Sequence, residues 1–184
     1  MNITTWWDVN ISDHKNYGEN VNFKGKKFVV HLLGEDTKTI LDVGCGNGLV
    51  YKAIQTMGRK VELYKGIDLS GKFIEACKEL YPEAVWEQQD ANDLKEADKS
   101  YDVVLLYHCL ESMREYKTPI QEALRVAKNR VIIVFWKGFT AREDDMIEVI
   151  YPYGYTTMFL LSFVPPLWKK IMNPRISKDV QYTI

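Results

Sequence analysis

Three glycines crowd into the nine residues Ile40–Gly48 (ILDVGCGNG), at Gly44, Gly46 and Gly48. Glycine admits positive φ and lets backbone N–H groups come close to a ligand, so a loop of this kind reads as a binding turn. The spacing argues against two phosphate chemistries. A GxGxxG dinucleotide loop counted from Gly44 needs a third glycine where Leu49 stands, and a phosphate loop needs Lys then Ser or Thr where Leu49 and Val50 stand. Carboxylates accompany the loop: Asp42 just before it, Asp68 20 residues after Gly48, and Asp90 further on. A carboxylate accepts two hydrogen bonds at once, so each could serve a ligand. For proton transfer the candidate base is His108, since imidazole titrates near neutrality, with Glu111 a weaker second. His31 falls on a helical stretch and reads as structural. The three cysteines, Cys45, Cys77 and Cys109, form no CxxC pair and have no histidine at zinc-ligand spacing. They point to a reduced, cytoplasmic chain without a metal site, in which Cys45 is a small loop residue rather than a nucleophile.

These residues need elements to hold them. The chain of 184 residues supports one sizeable core, with ordinary apolar (46%) and charged (27%) fractions for a globular protein. A net charge of -1 gives no basic footprint for nucleic acid. The start, MNITTWWDVN, lacks a secretory pattern, and the apolar run Met158–Trp168 is too short and too proline-broken to span a membrane. Strand-like and helix-like segments alternate: strands at Thr39–Val43, Val61–Leu69, Ala84–Gln89, Tyr101–Tyr107 and Arg130–Trp136, and helices at Leu49–Met57 (closed by Gly58), Ser70–Tyr81 and from Thr118. The last of these is expected to open on a capping box, Thr118 with Gln121, with Pro119 at the first helical position. Asn22–Leu33, closed by Gly34, reads as a preceding helix; residues 1–21 show no pattern. The alternation predicts an α/β, Rossmann-like, doubly wound and mostly parallel sheet with helices on both faces, ligands at the carboxyl ends of the strands, and an antiparallel strand at the C-terminal end. Beyond Gly138 the expectations are a helix at Ala141–Ile150, a turn at Tyr151–Tyr155, a short helix from Pro165 to Met172 and a strand at Asp179–Ile184.

Four motifs in order, DVGCGNG, GIDLS, QDA and YDVVLLYHCLESM, each at the carboxyl end of a strand, resemble those of class I S-adenosylmethionine (SAM)-dependent methyltransferases, in particular small methyltransferases of the type-11 kind. The resemblance covers roughly Thr39 to Trp136. It implies SAM as the cofactor and assigns roles residue by residue. Asp42 helps hold the ammonium side of the methionine part. Gly44, Cys45 and Gly46 line the methionine and ribose parts, with Leu69 beside them. Asp68 takes both ribose hydroxyls. Asp90 takes the adenine amino group, or Asp93 does if the strand register slips, and Ala91 offers its N–H to the ring. Tyr107 lies near the sulfonium. On this reading residues 1–184 form one domain: a cap at 1–35, a SAM-binding core at 36–138 and a substrate-side region at 139–184.

The implied activity is methyl transfer by direct displacement to a small-molecule acceptor through O, N or C. His108 is either the base for that transfer or a brace for its loop. YHCL stands where amino methyltransferases of planar groups carry (D/N)PPY, and nothing resembles a DNA target-recognition region. Aromatics outside the core, among them Trp6, Trp7, Tyr17, Trp136, Phe139, Tyr151, Tyr153 and Tyr155, either box an acceptor or pack the sheet's flank. The basic tail from Trp168 to Lys178 reads as a solvated face, with contact to an acidic substrate or a membrane surface as the other option. The alternative function is a SAM-binding, catalytically weak or inactive module that acts through protein contact.

Overall fold

A computed structural model describes residues 6–16, 23–113, 116–136, 149–153 and 156–162. Seven strands form one sheet: β1 (Thr39–Val43), β2 (Leu63–Asp68), β3 (Val85–Gln88), β4 (Tyr101–Tyr107), β5 (Ala127–Trp136), β6 (Val149–Tyr153) and β7 (Thr156–Ser162). The helices are α1 (Trp6–Asn10), α2 (Phe23–Leu32), α3 (Leu49–Thr56), α4 (Gly71–Leu80) and α5 (Lys117–Val126), with a short 3₁₀ turn at Leu110–Ser112. The strand order is β3-β2-β1-β4-β5-β7-β6. The first five strands run parallel to one another; β7 runs antiparallel to both β5 and β6.

Period-2 alternation in the central strands builds the two layers. Ile40, Val103, Leu105, Ile132 and Val134 pack into one core with α2, α3 and α4. Their neighbours Leu41, Val43, Val104, Leu106, Val131 and Ile133 pack into the other with α5. Strands buried on both faces have no polar side to show, hence the near-continuous apolar runs in β4 and β5. From β1 the chain winds outward to β2 and β3, then returns to β4 on the other side. That reversal opens a crevice at the carboxyl ends of β1 and β4.

Local signals hold for most core elements. Ser70 caps α4, its hydroxyl accepting from Phe73 N at 3.3 Å. α3 ends as its glycine predicts: Gly58 N donates to Gln55 O at 3.0 Å and Arg59 N to Ile54 O at 3.1 Å, the paired bonds of a Schellman motif.

Other expectations are corrected. α5 starts at Lys117 behind Tyr116, which gives no side-chain cap, so Thr118 lies inside the first turn and forms no capping box with Gln121. Pro119 is tolerated there because first-turn N–H groups have no helical partner. α1 lies in the stretch where no pattern was read. Tyr151–Tyr153, expected in a turn with residues 154–155 that lie outside the described residues, are instead the end of β6, and Val149 and Ile150, expected to finish a helix, begin it. Pro152 reads as turn punctuation, yet β6 is the sheet's edge, where a missing N–H costs no ladder bond. The apolar run at 158–162 is taken up by β7, in register with β5 from Arg130↔Ser162 to Trp136↔Thr156. Among the described residues the sheet thus ends in an antiparallel pair. The strand expected at 179–184, residues 141–148 of the expected helix and the helix at Pro165–Met172 lie outside the described residues.

Candidate cofactor and active site

The loop after β1 is tied to the end of β2. Gly44 N and Cys45 N both donate to Ile67 O, at 2.8 and 2.9 Å. Gly46 N donates to Asp68 Oδ2 at 2.9 Å, and Ser70 N donates to Asp68 Oδ1 at 2.8 Å. Asp68 therefore clamps the two loops and still has lone pairs to offer. Gly44 is required for a second reason: a Cβ there would sit 2.4 Å from the Cβ of Cys109. Only a bare backbone lets the β1 and β4 loops close on each other. At Gly46 a Cβ would meet nothing within 4 Å, because the residue fronts open space.

That space is a cavity of about 750 Å³ at the switch point. The sequence-predicted residues Asp42, Gly44, Cys45, Gly46, Asp68, Leu69, Asp90, Ala91, Tyr107 and His108 all line it. Asp93 does not, so the register places Asp90 on the wall. The Asp90 carboxylate accepts at Oδ1 from Asn92 N (2.9 Å) and Asn92 Nδ2 (2.8 Å), which fixes its turn. Gln89 beside it is buried, donating to Glu96 Oε1 at 3.0 Å. Its neighbour Ala91 is also buried on the wall.

Electrostatics inside the cavity follow burial. Asp42 is buried; Tyr64 OH donates to its Oδ2, while Oδ1 has no hydrogen-bond partner among the described residues. Burial pushes its acid up to about 7, against the Tyr64 hydrogen bond that pulls it down. Asp68 is also raised by burial, opposed by the N–H groups of Ser70 and Gly46. Burial raises the thiols of Cys45 and Cys109 well above their ordinary range, which keeps Cys45 protonated and unreactive. Burial raises the Tyr107 phenol too.

Beyond β4 the chain turns sharply. His108 has φ 52°, the left-handed region rarely used by a residue with a side chain. Its N–H donates to Val134 O at 2.9 Å, and its Nδ1 lies 3.1 Å from Glu111 Oε1. The imidazole stands edge-on to Tyr107, with ring centroids 4.6 Å apart. Glu111 also lines the cavity, so the two proton-transfer candidates form one unit.

Several wall residues were not singled out by sequence. Lys26 reaches the wall from α2. Asn47 ties the loop to the N-terminal segment, its Nδ2 donating to Lys15 O at 3.0 Å. α1 is pinned to the start of α4 by the buried Asp8, whose Oδ1 accepts from Ser70 Oγ (2.5 Å) and Lys72 N (3.1 Å). This places Trp7 on the cavity against Phe73, with rings 6.4 Å apart. Tyr17, Phe139, Tyr155 and the basic tail lie outside the described residues. Among the described residues no group of three metal-ligating side chains occurs, and no helix is long and apolar enough to cross a membrane.

A doubly wound sheet with a glycine loop after β1, an acid closing β2 and a cavity between β1 and β4 defines the class I methyltransferase architecture. Residues 41–135 match the methyltransferase-domain family, and the chain belongs to that family, whose cofactor is SAM. It is 30% identical over 131 residues to a ubiquinone biosynthesis O-methyltransferase of Nitrosomonas europaea, covering 67% of this chain and 53% of that protein. It is 29% identical over 115 residues to a ubiquinone/menaquinone biosynthesis C-methyltransferase of Campylobacter jejuni, covering 60% and 48%. The chain spans about half the length of these curated relatives. A magnesium protoporphyrin IX methyltransferase from Synechocystis, solved with bound SAH, superposes with TM-score 0.60 at 16% identity, covering 77% of this chain and 83% of that one. A SAM-dependent methyltransferase from Aquifex aeolicus also gives TM-score 0.60, at 20% identity, covering 76% and 89%. At these identities the structural likenesses speak for the fold. The wall chemistry fits SAM. A buried carboxylate oxygen without a hydrogen bond suits an ammonium, and a clamped carboxylate with lone pairs to spare suits a diol.

Proposed function

We propose that this chain transfers a methyl group to a small-molecule acceptor, with residues 36–138 holding SAM, 1–35 capping it and 139–184 on the substrate side. The observation that carries the reading is the cavity that gathers the glycine loop, Asp42, Asp68 and the His108–Glu111 pair at the sheet's switch point. Bound there, SAM supplies an activated methyl on a sulfonium. Asp42 Oδ1 takes the ammonium and Asp68 the ribose hydroxyls. Asp90 and Ala91 hold the adenine edge, and Leu69, Cys45, Gly44 and Gly46 shape the walls around it. Tyr107 stands at the methyl-bearing end. Trp7, carried by the pinned α1, helps exclude water.

Displacement needs alignment first, and positioning alone contributes about 7–11 kcal/mol to such reactions. Glu111 Oε1 holds His108 at Nδ1, which orients the ring and favours the tautomer with a proton on that nitrogen. Nε2 is then the atom that accepts the proton of the acceptor's nucleophile. A small-molecule acceptor also agrees with a chain that has no basic excess, and the free cysteines Cys45, Cys77 and Cys109 agree with a cytoplasmic setting.

The test is incubation of the full chain with methyl-labelled SAM and a metabolite extract. A labelled small molecule, lost or slowed about 10²–10⁴-fold in His108→Ala with SAM affinity kept, supports the reading. Tight SAM binding without any labelled product replaces it with the binding-module reading.

A further inference from the structure

The cavity contains a cation that no carboxylate of the described residues meets at ion-pair distance. Lys26 lies half-buried on the wall. Its Nζ stands 4.8 Å from the centroid of the Tyr107 ring. Asp42 acts on it electrostatically from beyond ion-pair distance. With the described residues Lys26 makes no hydrogen bond and no ion pair. Burial lowers the ammonium to about 8. A lysine stem is long enough to carry its charge out to water, yet α2 keeps this one on the inner wall. Holding a desolvated ammonium there is costly unless a ligand brings the missing anion.

The position of Lys26 indicates which end of the ligand space needs that anion. Tyr107 closes β4, and His108 follows it directly, edge-on to the same ring. Lys26 thus shares a wall with the pair that takes the acceptor's proton. In a displacement at carbon, an oxygen attacks best as its oxyanion, and a nearby ammonium favours the ionised form. A neutral amine nucleophile would gain nothing from it.

We propose that Lys26 is a specificity determinant that selects an acidic oxygen acceptor, a phenol or a carboxylic acid, and holds its oxyanion beside His108. This rests on the methyltransferase reading above and names the acceptor class for it. For a phenol, the O–H bond breaks and its proton goes to His108. The oxygen's electron pair forms the new O–C bond, and the pair of the breaking C–S bond stays on sulfur. A carboxylic acid arrives ionised and needs no base.

Carboxylate chemistry can also come from the cofactor itself, so the experiment has separate arms. The full chain is first titrated with S-adenosylhomocysteine. The resulting complex is then titrated with two matched pairs, benzoate against benzamide and para-nitrophenol against para-nitroanisole, at a pH just below 8. The expected result is a preference of about tenfold or more for the anionic member of each pair. Lys26→Met, which keeps the stem and removes the charge, should abolish the preference and change S-adenosylhomocysteine affinity less than about threefold. Lys26→Arg should retain the preference, which guards against a folding artefact. A preference absent in the wild type, or unchanged in Lys26→Met, overturns the proposal. So does a Lys26→Met variant that loses about tenfold or more in S-adenosylhomocysteine affinity while keeping the preference, because the ammonium then serves the cofactor's carboxylate. If the wild type does not bind S-adenosylhomocysteine at all, the methyltransferase reading fails first and this proposal falls with it.

Discussion

If the Asp42 carboxylate neutralises a ligand ammonium, ligand affinity must follow its ionisation. Burial raises that acid to about 7, so below neutrality the side chain is largely uncharged and offers the ammonium little. Each pH unit below the pKa then costs about tenfold, or about 1.4 kcal/mol. From the plateau down to about pH 5 the loss is roughly hundredfold, near 2.7 kcal/mol. S-adenosylhomocysteine is the ligand to use, because an α-amino group remains protonated below about 7.7 and adds little of its own to the slope. Titration calorimetry at several pH values gives the slope. Repeating the titration near pH 7 in buffers of different ionisation enthalpy reveals the proton that Asp42 releases on binding. Acid should not unfold the protein on this residue's account. A carboxyl whose folded pKa lies above its unfolded value of 3.8 contributes stability that is fully present below 3.8 and is lost as pH rises through about 7. Asp42→Asn should bind weakly and with a flatter profile, and any slope left in it belongs to Asp68, whose acid is also raised. A wild-type affinity constant to within about threefold between pH 7.5 and 5.5, with no proton released, would refute the reasoning.

Three further outcomes are expected. Gly44→Ala forces a Cβ to within 2.4 Å of the Cβ of Cys109 at φ 71°, and should lower stability by about 1–3 kcal/mol in a denaturant melt; an unchanged midpoint would mean the two loops do not touch. Gly46→Val meets no neighbour within 4 Å, so the fold should survive while the side chain occupies the ligand's space; S-adenosylhomocysteine affinity that persists would show that this is not the cofactor loop. Asp68→Ala removes the acceptor of two backbone N–H groups as well as a ligand contact, and should weaken S-adenosylhomocysteine by about 1.5–3 kcal/mol; equal affinity by calorimetry would remove Asp68 from the site.

What could be read from the sequence depended on how local its cause is. β4 and β5 are legible because strands covered on both faces are apolar throughout, and α4 because Ser70 caps it within one turn. The wall residues that follow each strand come with the strands. α5 misleads because Thr118, Pro119 and Gln121 match a capping pattern two positions away from where the chain turns helical. The antiparallel pair was hidden by Pro152, whose tolerance comes from lying at the sheet's edge, a property of the assembled sheet. α1 is too short for a helical period to show. Lys26 is the instructive case. Nothing near it in the chain marks it, and its meaning comes from a ring 81 positions later in sequence.

The backbone at the sheet's carboxyl edge bears on what His108 is for. Gly44, Gly46, Gly48 and His108 there all have positive φ. At three of these the chain uses glycine, which adopts that region without strain. At the fourth it holds a residue with a Cβ, at a cost of order 1–3 kcal/mol. The turn itself is secured by a main-chain bond, His108 N to Val134 O at 2.9 Å, which any residue with an N–H would make. A brace therefore requires no imidazole, and a glycine would bend the chain there with less strain. The side chain is instead held from two directions, by Glu111 at Nδ1 and by the ring of Tyr107. Strain at a cavity wall, with a side chain oriented by neighbours that also line that wall, is the arrangement a positioned base requires. It favours the proton-transfer role of His108 over the bracing one.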